Sequence, residues 1–107
     1  RLVVNRHLVV PTSVYQQGLD VPETESILAA LGDLDVTCID AAALAEEAGS
    51  VLSQNIVMLG AASGEIPLGT EALEEAVRRC VPKKTVEVNT RAFRLGREAR
   101  GKGTGRP

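Results

Sequence analysis

The side chains able to do chemistry are few and scattered in this sequence. His7 is the only histidine. An imidazole titrates near neutrality and can serve as a base. No serine, cysteine or carboxylate stands at a spacing that would complete a nucleophilic triad with it. A histidine between two apolar runs, Leu2–Val4 and Leu8–Val10, reads as structural or exposed. Cys38 and Cys80 lie 42 positions apart, and a structural zinc site or an iron–sulfur cluster takes about four ligands. Cys38, inside the apolar run Val36–Ile39, is expected as a buried, inert thiol. Cys80 is expected near a helix C-terminus, where the dipole disfavours a thiolate. The adjacent pairs Glu46/Glu47 and Glu74/Glu75 project about 100° apart on a helix and do not hold their acids together. Neither a GxGxxG nor a P-loop occurs. The sequence therefore predicts no catalytic residue and no metal ligand.

Two patterns remain. Arg91, Arg94 and Arg97 recur at every third position, and Arg100 continues them. Such a stripe suits an acidic partner or a phosphate-bearing cofactor, or is a solvated face feeding a basic tail. Aromatic residues that would stack on bases are absent from it. Asn55 is an amide in an otherwise apolar, small-residue segment. If its face is buried, it needs a backbone or ligand partner.

The elements that must position these residues follow from spacing and turn chemistry. Leu2–Val4 predicts a strand; Leu8–Val10, ended by Pro11, predicts a strand end or an extended approach to a loop. Residues 12–21 read as a polar connection. Pro22, Glu23 and Glu25 open a helix over 22–31, with Ile27, Leu28 and Leu31 at helical spacing. Val36–Ile39 predicts a buried strand. Asp40 is the expected cap of a helix Ala41–Ala48, closed by Gly49. Ser50 is the expected cap of a helix over 51–61 with a stripe of Leu52, Ile56 and Leu59. Leu68 and Leu73 are spaced as a hydrophobic staple about Gly69, with Thr70 as the rival cap. A helix over 70–80 then lines up Leu73, Ala76, Val77 and Cys80. Thr85–Val88 reads as a strand, and Asn89 or Thr90 as the cap of a last helix to about Arg100. Strands alternating with helices predict an α/β fold, a layered sheet flanked by helices.

At 107 residues the chain is one domain, and 44% apolar against 24% charged residues marks it as globular. Tyr15 and Phe93 are its only aromatic residues, so the core must be aliphatic. Two cysteines exclude a disulfide-dense scaffold and make a reducing, cytoplasmic setting the default. No 18-residue apolar run or signal peptide occurs, so no membrane role is predicted. Residues 1–90 carry 6 basic and 13 acidic side chains (−7), whereas 91–107 carry 6 and 1 (+5). That asymmetry disfavours a general nucleic-acid role. The chain opens on Arg1 and runs straight into apolar residues, which is expected of a piece of a longer polypeptide. Residues 101–107, GKGTGRP, read as a flexible basic tail.

Two segments, Asn55-Ile56-Val57-Met58-Leu59-Gly60-Ala61 and Asn89-Thr90-Arg91-Ala92-Phe93-Arg94-Leu95-Gly96, together resemble the closing signatures of the gamma-type catalytic domain of 2-oxoacid:ferredoxin oxidoreductases. That family includes pyruvate, 2-oxoisovalerate, 2-oxoglutarate and indolepyruvate enzymes. Leu2–Asn5 followed by Pro11, the alanine-rich Asp40–Gly49, and Ile66-Pro67-Leu68 before an acidic helix fit the same pattern. The resemblance covers about residues 2–98. The family's glycine-rich opening, and its Ser-Tyr-Gly-like segment with Arg-Gly-Gly, would precede Arg1. Arg6-His7 stands where small polar residues are common in the family. The resemblance thus implies that residues 1–100 are the C-terminal half of a gamma-type domain, an incomplete domain on its own.

It further implies a component of a multi-subunit enzyme for thiamine-dependent oxidative decarboxylation of a 2-oxoacid, inactive as an isolated chain. Thiamine diphosphate and the iron–sulfur clusters would sit on other subunits or domains, with ferredoxin as the electron acceptor. Coenzyme A would receive the acyl group. This chain would give scaffold and subunit interface: Asn55 and Gly60 in packing or loop positioning, Arg91 and Arg94 towards a partner or coenzyme A. The alternative is a non-enzymatic α/β module that docks an acidic partner through its basic last helix. An independent small hydrolase or transferase would need a nucleophile–base pair that the residues do not display.

Overall fold

A computed structural model describes residues 1–7 and 11–101. The expectations for Leu8–Val10 and for the tail beyond Gly101 lie outside the described residues.

Strand β1, Leu2–Asn5, pairs in parallel with β2, Val36–Ile39, in the register Leu2↔Val36 through Asn5↔Ile39. Leu2 N donates to Asp35 O at 2.7 Å and Arg6 N to Ile39 O at 2.9 Å, closing the ladder at both ends. Parallel strands need a long crossover, and here it holds two short helices. The first, α1 (Thr12–Gln17), replaces the connection expected over 12–21. Pro11 starts it, Gly18 ends it at φ 64°, and it buries no residue. With no apolar stripe it had no period to betray it. The second, α2, spans Thr24–Ala30, begins two residues later than expected, and buries Leu28 alone.

Helix α3, Ala41–Ala48, is capped as expected: Asp40 Oδ1 accepts from Ala43 N at 3.1 Å. It buries Ala41, Ala45 and Ala48. Gly49, at φ 127°, turns the chain in a conformation that β-carbon-bearing residues rarely adopt. Ser50 Oγ accepts from Leu52 N at 3.2 Å. A 3₁₀ turn over Val51–Ser53 then leads into α4, Gln54–Ala62. The tighter turn shifts the helical phase. The expected stripe therefore fails: Leu52 is 88% exposed, Ile56 and Leu59 are half-buried, and the buried face is Val57, Gly60 and Ala61.

Helix α5, Thr70–Cys80, has Gly69 rather than Thr70 at its N-cap. It buries Leu73, Glu74 and Val77, while Ala76 and Cys80 are exposed. Leu68 is exposed, so no staple forms; Ile66 and Val81 pack beside Leu73 instead. The strand expected at Thr85–Val88 is absent. Pro82 leads into a 3₁₀ turn, Lys83–Thr85, and α6 runs from Val86 to Gly101. Asn89 therefore lies inside the helix, its Nδ2 donating to Thr85 O at 3.1 Å, and neither Asn89 nor Thr90 is the cap. Val86 and Val88 are β-branched, but contact with the folded body overrides that local preference.

The order is β1-α1-α2-β2-α3-α4-α5-α6. The layered α/β sheet expected from the sequence is thus a small, mostly helical domain with a two-stranded parallel sheet. Its main core joins Ile39, Ala41, Ala45, Ala48, Val57, Ala61 and Ala92. Leu73, Val77 and Phe93 form a second cluster against α5.

Candidate functional site

Small residues decide how α4 and α6 meet. A Cβ on Gly60 would fall on the Phe93 carbonyl oxygen and stand 2.8 Å from its carbon. A Cβ on Gly96 would fall on the Val57 carbonyl oxygen and stand 3.0 Å from Ala61 N. The two backbones therefore touch at a crossing that glycine makes possible on each side. Ser63 Oγ donates to Gly60 O at 2.6 Å and ties off the end of α4. The crossing turns Phe93 into the second cluster, where it is fully buried.

Asn55 does not share this environment. It is exposed, so the buried-amide requirement does not arise, and it is not brought together with Gly60 or the arginines. Gly60 faces the crossing; Arg91 and Arg94 face away from it, towards α5.

There Arg91, Arg94 and Arg78 line an open groove of about 500 Å³ with Val86, Glu87 and Thr90. Glu74 holds two of these arginines. Its side chain is 10% exposed, and its Oε1 accepts from Arg94 Nε at 2.7 Å and Nη2 at 2.6 Å. Arg78 Nη2 reaches the same oxygen at 3.4 Å, and its Nη1 donates to Glu75 at 2.9 Å. Hydrogen bonds from Arg78 and Arg79 hold the Glu75 carboxyl below the usual carboxylate range. Arg91 makes no ion pair among the described residues. Thr90 Oγ1 is buried without a hydrogen-bond partner among them.

The rest of the arginine stripe is already engaged. The Arg97 guanidinium lies 6.0 Å from the Phe93 ring centroid. Arg100 reaches Glu65 at 3.1 Å, and Arg1 meets the same carboxylate at 2.9 Å. The hydrogen bond from Arg1 is the main cause of the lowered Glu65 pKa. The equal spacing thus splits into one unpaired arginine, two bound to carboxylates and one over a ring. Sequence reasoning missed Arg78 as a groove residue and Glu74 as the carboxylate that holds Arg78 and Arg94. Their i,i+4 spacing on a helix was the available signal.

A smaller cleft of about 150 Å³ lies at the C-terminal end of β1, walled by Asn5, Arg6, His7, Thr24 and the apolar Val4, Ile27 and Leu28. His7 is exposed there. Asn5 acts as a clamp: its Oδ1 accepts from Ala41 N at 3.1 Å and its Nδ2 donates to Gln54 at 3.4 Å. Cys38 is half-buried and Cys80 is exposed, both as free thiols. Among the described residues no group of three or more His, Cys, Asp or Glu side chains could hold a metal ion, and no helix is long and apolar enough to cross a membrane.

The helices that cross through Gly60 and Gly96 contain the two segments that carry the sequence resemblance. Residues 1–99 match the family described as pyruvate ferredoxin/flavodoxin oxidoreductase. The chain belongs to this family. Within these 2-oxoacid:ferredoxin oxidoreductases it is a gamma-type domain of the kind found in IorB subunits. It is 33% identical over 99 residues to the "Indolepyruvate oxidoreductase subunit IorB" of Archaeoglobus fulgidus, covering 89% of this chain and 49% of that protein. The identically named protein of Methanothermobacter thermautotrophicus is 32% identical over 99 residues, 89% of this chain and 50% of its own length. That of Thermococcus kodakarensis is 47% identical over 62 residues, 56% of this chain and 31% of its own length. The chain therefore spans about half the length, or less, of these relatives. No solved structure gives a significant match.

Proposed function

We propose that this chain is the C-terminal half of the gamma-type domain of an IorB-like subunit, in an enzyme that oxidatively decarboxylates an indolepyruvate-type 2-oxoacid. Its part is scaffold and subunit interface. The observation that carries this reading is the Gly60–Gly96 crossing, which locks the two signature helices backbone to backbone. A pair fixed in that way presents its outer face with little freedom to move. Four relatives carrying the indolepyruvate name, at 32–47% identity, support the substrate class.

An iron–sulfur cluster does not fit the described donor set, because Cys38 belongs to β2 and Cys80 ends α5. The clusters and thiamine diphosphate belong, on this reading, to other parts of the complex, with ferredoxin as acceptor. Coenzyme A, whose thiol would receive the acyl group, fits in part. Arg91 offers one uncompensated guanidinium, but Glu74 binds Arg94 and Glu87 lines the same groove. Arg91 and Arg94 therefore serve an interface better than a polyanionic cofactor. Asn55, exposed on α4 and apart from the arginines, would be a separate point of contact in such an interface.

The test is reconstitution of the full-length subunit with its partner subunits. The assembled enzyme is expected to reduce ferredoxin with indolepyruvate, and the isolated chain to show no turnover. Turnover by the isolated chain, or a complex that ignores aryl 2-oxoacids, would refute the proposal.

A further inference from the structure

We infer that the groove between α5 and α6 docks a segment of a partner subunit with mixed charge, placing a carboxylate against Arg91, beside the Glu74-bound Arg78 and Arg94, and one basic side chain against Glu87. The inference rests on the subunit reading above and specifies the partner's chemistry. Arg94 and Arg78 converge on the buried carboxylate of Glu74. Their orientation is thereby fixed before any partner arrives, which reduces the side-chain entropy lost on binding. Glu74 takes Nε and Nη2 of Arg94 and, with Glu75, both terminal nitrogens of Arg78, so Arg91 is the groove guanidinium left to meet a partner carboxylate. Arg91 has no described carboxylate within ion-pair distance, although Glu87 stands one turn before it on α6, and Val86 adds an apolar wall to the groove.

Glu87 decides between a protein segment and a free anion. It lines the same groove, is exposed, and makes no ion pair among the described residues. A free polyanion would gain one uncompensated guanidinium and meet this carboxylate as well. A segment carrying both signs satisfies Arg91 and Glu87 together, and complementary patterns of that kind fix register across interfaces.

The experiment measures the affinity of the full-length subunit for its partner subunit. It compares the wild type with Arg91→Glu, Arg91→Lys and Glu87→Lys, at low and high salt. Both positions are exposed, and circular dichroism melts check that each variant folds. Arg91→Glu is expected to weaken assembly about tenfold or more at low salt, with a smaller loss at high salt. Arg91→Lys should retain most of the affinity, and Glu87→Lys should also weaken assembly. Wild-type affinity in Arg91→Glu would overturn the inference while leaving the subunit reading intact. Tighter assembly in Glu87→Lys would overturn the mixed-charge pattern in favour of a purely anionic partner. If the wild type itself fails to assemble, the subunit reading falls and this inference falls with it.

Discussion

The α4–α6 pair and the α1–α2 crossover are built on opposite terms. In the first, alanine and glycine bring backbones into contact, and Val57, Ala61, Ala92 and Phe93 are fully buried. In the second, α1 buries nothing and α2 buries Leu28 alone, while Tyr15, Leu19, Val21 and Ile27 are exposed. Apolar content does not distinguish them. What differs is whether the apolar residues recur on one face with a partner face small enough to meet them. A segment can thus be rich in leucine and valine and contribute little, whereas one rich in alanine and glycine can carry the fold.

The largest test of this contrast is Phe93→Ala. Emptying the site of the one buried aromatic ring should cost about 4 kcal/mol in urea unfolding of the subunit. Gly60→Ala and Gly96→Ala come next, at about 3 kcal/mol each, because the new methyl meets backbone that cannot rotate away. Their effects should be non-additive, since both open the same crossing. Ordinary behaviour as a helix-favouring Gly→Ala change, with a small gain in stability, would show that the two backbones are not in contact.

Much of this was legible in advance, for definable reasons. Val36–Ile39 and the Asp40 cap were readable because a β-branched run and a side-chain acceptor act locally. The stripe on α4 was misread because the 3₁₀ turn at Val51–Ser53 resets the phase, and nothing in the residue types announces it. Thr85–Val88 was misread as a strand because valine preference was weighed without the body against which α6 packs. For the groove, Arg91 and Arg94 were visible from their spacing. Glu74 was not, since its partner Arg94 lies 20 residues away on another helix. The sequence singles out Gly60 for packing or loop positioning, and only the tertiary structure supplies what it meets, the Phe93 carbonyl.

Smaller effects sharpen the comparison further. Glu74→Gln should destabilise by about 1 kcal/mol, the modest value reflecting half-exposed Arg94 and Arg78 guanidiniums that water screens. Acid should also weaken the helical body. Arginine hydrogen bonds lower the pKa of Glu65 and Glu75 in the folded state. Their contribution is complete above the ordinary glutamate range and is lost as pH falls through the depressed values. Tm should therefore drop slightly in that acidic window, and less so in a Glu65→Gln, Glu75→Gln double variant. At the low end, Ile27→Ser in the crossover should change stability by about 0.5 kcal/mol or less. A cost matching that of Gly96→Ala would erase the distinction between the two regions.

The two aromatic rings sit at the extremes of this architecture. Tyr15 is 72% exposed on α1, and Phe93 is 0% exposed at the α4–α6 crossing. With tryptophan absent from these residues, the tyrosine emission of this chain arises in the crossover alone. The chain thus carries a built-in optical label on the arm, and its emission, followed beside the helical circular dichroism of the whole, would reveal whether the arm loosens before the body without introducing any dye.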